Sequence, residues 1–436
     1  MKSQKTTKRL ATLSAAFLVG SVATFAADVR AYSQDSAAPT EETTRENGDA
    51  TPAVERVREL GGTLERDAAG RVVSLELKTE NATAADVKLF VETFGDLETV
   101  VLTGRCDDET LLSLKDCRNL HSLAVCSSSS FGKTLEALAS APELQELDLS
   151  RSLLRCADLA PLANFPKLEK LSLASVVFRD WFPDDENFRD PLEYVAVCKS
   201  LKSIDLRRTQ NVAARGIEAL ATAPNLEEFY APSFFDDADA ERLATSKSLK
   251  RVCCEGTPIS RKGFEALLAA PSLREATFLD CNDLRPNFAD VAEGKLERLI
   301  LQGVPVDGAG LGGLERVGAQ TLRTLEISGS HLIDEASLNN ALSRLRTPTA
   351  LTLDLTPAVG DETIETLVAA LPELESLSLR GTPITDAALD EIAKLERLDS
   401  LDVSYCGKTS PGKVAALRDS RSWRAFNGKE IKRTTE

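Results

Sequence analysis

The residues of this 436-residue chain that could do chemistry are few and scattered. A metal centre wants several histidines, cysteines or acids within reach of one ion. A nucleophilic relay wants a histidine beside a serine and an acid. The two histidines, His121 and His331, lie far apart in the chain. No H-E-x-x-H, G-x-S-x-G or phosphate-loop pattern occurs. The glycines of "GLGG" (Gly310–Gly313) lack the strand and lysine of a phosphate cradle and read as a loosened outer segment. The acids of "DDEN" (Asp184–Asn187) lack the glycine and terminal glutamate of a calcium loop. The expectation is therefore a protein that is not an enzyme and needs no metal or cofactor. Recognition chemistry remains. "FRDWFPDDENFRDP" (Phe178–Pro191) concentrates aromatics and acids in a chain that is only 5% aromatic.

Such side chains work only where a scaffold sets them, and the scaffold is written as a repeat. The phrase L-x-x-L-x-L recurs clearly at Leu144, Leu168, Leu201, Leu296, Leu374 and Leu398. Weaker copies start at Val72, Leu97, Leu120, Leu226, Leu249, Leu273, Leu322 and Ala350, which makes fourteen. The last two apolar residues of the phrase alternate, so each copy predicts a short strand with one buried face. The residues that follow carry helical spacing, as in Ala214–Leu226 and Thr385–Leu398. Pro142, Pro166, Pro224, Pro271 and Pro372 each stand two residues before the next phrase, where proline ends a helix and presets extended backbone. One unit cannot bury its apolar face alone; stacked units can.

These phrases resemble the leucine-rich-repeat family, whose signature is L-x-x-L-x-L-x-x-N/C. At the ninth position this chain carries Cys281 and Cys406, or Thr209, Thr257 and Thr382. "GTPITDAAL" (Gly381–Leu389) is similar to the repeats of exported bacterial members and to the cysteine-containing and ribonuclease-inhibitor-like subclasses. The resemblance covers about residues 54–427. It implies an α/β solenoid, an arc or horseshoe with a parallel sheet on the concave face and helices on the convex face. Fourteen strands at about 4.8 Å spacing give an inner edge on the order of 60 Å.

The chain divides accordingly. Residues 1–26 read as an export signal, with Lys2, Lys5, Lys8 and Arg9 before the apolar run Leu10–Ala26 and small residues at Thr24 and Ala26. An uncleaved membrane anchor is the competing reading. Residues 27–52 are polar and read as a disordered linker. A cap and first strand follow (53–77), then the repeats (78–418), then a second cap and tail (419–436) in which Trp423 is the lid. The formal charge of −16 becomes −20 if the four basic residues of the signal leave. Such acidity argues against nucleic acid and anionic lipid as partners. The composition, 42% hydrophobic and 28% charged, is that of a soluble folded chain, taken here as a monomer.

Nine cysteines is an odd number, and no repeat position brings them together in neighbouring units: Cys117 and Cys198 share a column several repeats apart. Cys254, Cys281 and Cys406 fall at core or ladder positions and read as small buried hydrophobes. Cys253 points to the open face, where only Arg251 would lower its pKa.

The residue between the two inward strand positions faces the concave surface. Down the array this column runs Glu76, Val101, Ala124, Asp148, Ser172, Asp205, Tyr230, Cys253, Thr277, Ile300, Glu326, Asp354, Ser378 and Asp402. Its less polar middle, Tyr230, Cys253, Thr277 and Ile300, joined by Leu279, is the expected concave contact patch. The unit from Leu173 to Leu201 is nine residues longer than its predecessor, and the excess places Phe178, Trp181, Phe182 and Phe188 on a rim loop. "APSFFDDAD" puts Phe234 and Phe235 on the same rim. Aromatics on loops over a rigid scaffold suit recognition; the competing reading folds them onto the convex helices. The expected function is an exported protein- or peptide-binding module acting through the concave face and this rim. The alternative is a cell-envelope scaffold that binds polysaccharide through the rim aromatics.

Overall fold

The computed structural model describes residues 52–430 apart from Arg105, Asp107, Ser129–Phe131, Ser140, Glu186, Asp290 and Ala292. The expected signal (1–26) and all of the expected linker except its last residue lie outside the described residues.

One unit shows how the sequence becomes structure. Strand Arg251–Glu255 alternates, turning Val252 and Cys254 inward. Ser260 then caps helix Arg261–Leu268, its hydroxyl accepting the Lys262 N–H at 3.3 Å. Gly263, Phe264, Leu267 and Leu268 form the buried stripe of that helix. Phe264 packs at 5.1 Å from Phe278 and 5.6 Å from Phe288, both of later units. The core of each unit is thus completed by its neighbours.

Fourteen strands, one for each phrase, run parallel in chain order from Val72–Lys78 to Ser400–Asp402. Strand Thr63–Arg66 adds antiparallel at one end. Ala425–Phe426 (parallel) and Lys429–Glu430 (antiparallel) add at the other, for seventeen strands in all. The sheet stays open, with the helices on its outer side. This is an α/β leucine-rich-repeat solenoid.

The phrase placed at Ala350 is two residues out of register. Leu351 pairs with Leu325, and Thr352 stands between Glu326 and Ser378. The phrase therefore starts at Pro348, a buried proline where other units have leucine, and Leu351 and Leu353 face inward. Thr352, not Asp354, belongs to the concave column. Asp354 lies one step further along, accepting the Ser378 hydroxyl at 2.6 Å and the Arg380 N–H at 2.8 Å.

A second regularity was invisible as a motif. Two residues after the second inward strand position the backbone turns left-handed. Gly256, Gly303, Gly329 and Gly381 hold that place in some units; Arg151, Ser175, Arg208, Asp280, Leu355 and Tyr405 hold it in others. The conformation is one L-residues avoid, at about 1–2 kcal/mol. It recurs because it aims the N–H at the next unit: Arg151 to Ala174 O, Leu355 to Arg380 O and Gly381 to Ser404 O, at 2.8–2.9 Å.

Side chains tie the units together in two further rows. At the ninth position Thr209 donates to Leu173 O at 2.8 Å, Ser330 to Val304 O at 2.9 Å and the Cys406 thiol to Leu379 O at 3.1 Å. Hydroxyls and thiols here do the work of the family's asparagine. On the convex side, the acid that opens one helix accepts the N-cap N–H of the next. Asp237 serves Ser260, Asp361 serves Thr385 and Asp386 serves Ser410, at 2.7–2.8 Å. Asp190 serves Ala213 at 2.6 Å.

Apolar side chains pack at both ends. Ala53, Val54 and Val57 of helix Pro52–Glu59 are buried, and Arg56 bonds Asp86 at 2.8 Å. Trp423 is 2% exposed and meets Phe426 edge-on at 5.2 Å. No disulfide joins any of the nine cysteines; eight are buried and Cys253 is half-buried.

Candidate functional site

On the concave face, Tyr230, Cys253, Thr277 and Ile300 stand on four successive strands in direct register. Leu279 lies beside Thr277 on the same face, opposite Gln302. All five are half-buried, so the expected patch forms one continuous strip. The three positions of the same column just before it are closed. Asp148, Ser172 and Asp205 are 4%, 3% and 7% exposed. Asp148 accepts the Ser150 N–H at 2.8 Å, and burial pushes its carboxyl above the usual carboxylate range. These three separate the strip from Glu76, Val101 and Ala124, which are exposed or half-buried in the same column.

Arg207 decides how Tyr230 is presented. Its Nη2 donates to Asp205 at 2.7 Å, its guanidinium lies 5.2 Å from the Tyr230 ring centroid, and its Nη1 is 3.8 Å from Glu255. Burial opposes the Arg207 charge, but the Asp205 carboxylate outweighs it and raises the pKa. The cation is fixed, and with it one face of the ring. The Cys253 thiol is pushed up to about 12 by burial, with Arg207 only partly offsetting this. It is a protonated contact at neutral pH rather than a nucleophile.

A charge ladder borders the strip. Glu228, Arg251, Glu275 and Arg298 alternate in register; Arg251 contacts Glu228 and lies 3.8 Å from Glu275. Outside it, Lys250 bonds Glu227 at 2.7 Å. Exposed pairs of this kind add little stability. Their effect is to leave the strip framed by charges that neutralise one another.

The rim aromatics divide. Phe178 and Phe235 are 0% exposed, which corrects their placement as contact residues. Phe178 lies on a two-residue strand, Val177–Phe178, that pairs with Leu153–Leu154 of the preceding unit and turns the ring into the core. Phe235 packs at 5.5 Å on Phe229 beneath the strand. Phe188 is half-buried against the core under the Arg215 guanidinium, 4.6 Å from its centroid. Trp181 is half-buried, and its indole N–H is enclosed without a partner among the described residues. Phe182 and Phe234 remain, 65% and 37% exposed.

Sequence reasoning missed Arg207 and Glu255, although the alternation that singled out Leu279 marks both. They occupy the same place in their own units. It also missed Leu355 and Tyr405, 57% and 78% exposed on left-handed backbone, because nothing local announces that conformation. Among the described residues, no group of three or more His, Cys, Asp or Glu is placed to hold a metal ion.

No family model and no curated protein matches the chain significantly. Solved structures do. An internalin from Listeria monocytogenes is 18% identical over 82% of this chain and 95% of that one, with a TM-score of 0.46. TLR13 in its complex with ssRNA13 is 16% identical over 82% and 54%, at 0.47. The LRR ectodomain of the receptor kinase GASSHO1/SCHENGEN3 from Arabidopsis thaliana is 15% identical over 81% and 44%, at 0.40. Likeness at this level says nothing of what this chain binds.

Proposed function

We propose that this leucine-rich-repeat protein is an exported, non-catalytic binding module that holds a protein or peptide on its concave face. The observation that carries the reading is the in-register strip from Tyr230 to Ile300, with Tyr230 held under Arg207. A ring already fixed on one face loses little freedom when a partner covers the other, so its contact energy is not spent on ordering. Leu279 and Ile300 supply the apolar half of the contact, and the neutralised charge ladder forms a polar rim. Phe182 and Phe234 extend the surface along one edge. The polysaccharide alternative needs a row of exposed rings, and two rings make a poor row.

Affinity capture from the extracellular or envelope fraction, with and without glycan digestion, identifies the partner class. Tyr230→Ala is then expected to weaken the captured complex about 30-fold, the 2 kcal/mol of an aromatic hot spot. Unchanged affinity in Tyr230→Ala and Ile300→Glu removes the concave strip from the account. Among the described residues no helix is long and apolar enough to cross a membrane. Export therefore rests on the N-terminal pattern, and terminal sequencing that finds Met1 intact in a cytosolic fraction refutes it.

A further inference from the structure

The last unit of the array is only half covered. The cap strand pairs with Ser400 and Leu401, and Asn427 donates its N–H to Leu401 O at 2.8 Å. The chain then turns back through left-handed Asn427 and Gly428. Asn427 Oδ1 accepts the Val403 N–H at 2.9 Å, which satisfies the first donor that a further unit would have taken. Past this cap hairpin no further strand joins the sheet among the described residues. Between the loop after Val403, helix Pro411–Asp419 and the cap hairpin lies a cleft of about 660 Å³. Tyr405, Pro411, Val414, Ala415 and Phe426 give it an apolar wall.

Three features say what covers it. Tyr405 is 78% exposed on left-handed backbone (φ 60°), with the Arg380 guanidinium 4.8 Å from its centroid. In earlier units the N–H at this position donates to the next unit, as Leu355 does to Arg380 O and Gly381 to Ser404 O. At Tyr405 no later unit stands among the described residues, which leaves this edge to an extended chain. The local charge is also reversed. Residues 403–430 carry six basic and two acidic residues, +4, in a chain of net −16, although Lys413 and Arg424 pair with Asp390 and Asp399. Arg418 and Lys429 line the cleft; Arg418 already bonds its neighbour Asp419 at 2.8 Å, and Lys429 has no carboxylate partner among the described residues. Asp402, the nearby acid of the last strand, is occupied with the Ser404 N–H at 2.8 Å.

We infer that this end of the solenoid is a second docking site, for an extended acidic peptide segment of a partner protein that carries an apolar side chain. The apolar side chain sits against Tyr405 and Val414, the flanking carboxylates face Arg418 and Lys429, and a peptide carbonyl accepts the Tyr405 N–H. The site is independent of the concave strip.

The test is anisotropy titration of the full chain with a short labelled peptide of Glu and Asp around one Leu, and with its Lys/Arg counterpart. The acidic peptide is expected to bind at least about tenfold tighter than the basic one and to weaken with added salt. Arg418→Glu with Lys429→Glu should invert that preference, and Tyr405→Ala should weaken the acidic peptide at least about fivefold. Melting curves check that the variants fold, which the exposure of all three side chains favours. Tyr230→Ala should leave this binding unchanged, so the concave reading and this one fail separately. No binding at about 1 mM, equal binding of the two peptides, or indifference to Tyr405→Ala overturns the proposal.

Discussion

Phe178 and Phe182 are four residues apart in one loop, and the structure gives them opposite roles. Phe178 is 0% exposed, packed within the continuous core, and Phe182 is 65% exposed. Truncating a fully buried phenylalanine costs about 3–5 kcal/mol, from lost transfer energy and the cavity left behind. Truncating an exposed one stays within about 0.5 kcal/mol. A solenoid unfolds in parts, so a global melting temperature blurs this contrast. The chain offers a local probe. Its two tryptophans are Trp181, beside Phe178 in the loop, and Trp423, in the far cap. With Trp423 replaced by Phe, the urea transition followed by Trp181 fluorescence reports the loop and its unit. Phe178→Ala should move that midpoint by most of the local stability, and Phe182→Ala should leave it in place. In the complementary background that keeps only Trp423, Phe178→Ala should have a smaller effect. A Phe178→Ala variant within about 0.5 kcal/mol of its parent, or a Phe182→Ala variant losing about 2 kcal/mol or more, refutes the placement of this loop.

Three further outcomes are expected. Asp190 is fully buried, and burial raises its carboxyl to about 6 despite the Leu192 and Ala213 N–H donors. The folded chain then takes up a proton near pH 6 that the unfolded chain takes up near 4, so this group adds stability as pH falls through that window; melting curves of Asp190→Asn should lack that component. Leu355 sits at φ 53° with its side chain 57% exposed, so Leu355→Gly should be neutral or stabilising by up to about 1 kcal/mol in chemical denaturation, whereas a loss above about 1 kcal/mol would falsify the left-handed assignment. Alkylation of the denatured, unreduced protein should label all nine cysteines by mass spectrometry, and two or more protected cysteines would contradict a structure without disulfides.

The architecture was legible because its cause is local and repeated. An apolar alternation followed by helical spacing, fourteen times, leaves few ways to bury the apolar face. The one slip, at Ala350, came from following leucines where Pro348 had taken the first inward position. The concave strip was legible for the same reason, since period-two alternation fixes which residues face out. The rim was not. Whether Phe178 or Phe182 turns inward depends on a two-residue pairing with Leu153–Leu154, a contact between units that no stretch of the loop encodes. Arg207 was missed because its partners, Asp205, Tyr230 and Glu255, sit on three different strands. Composition averaged over the whole chain also hid the basic terminal unit inside an acidic protein.

The carboxylates that accept the next helix's N-cap N–H give the stack a direction. Asp190, Asp237, Asp361 and Asp386 each sit in the earlier unit and serve the later one. Asp180, which accepts the Cys156 N–H at 2.7 Å, runs the other way. Remove a later unit, and the carboxylate left behind turns to water at little loss. Remove an earlier one, and the later helix loses the acceptor for its first N–H. As far as this row of bonds goes, the array is easier to shorten from its C-terminal end than from its N-terminal end. For these four bonds a chain leaving the ribosome N-terminus first meets the acceptor before the donor that needs it, whereas the left-handed N–H groups wait for the unit after them.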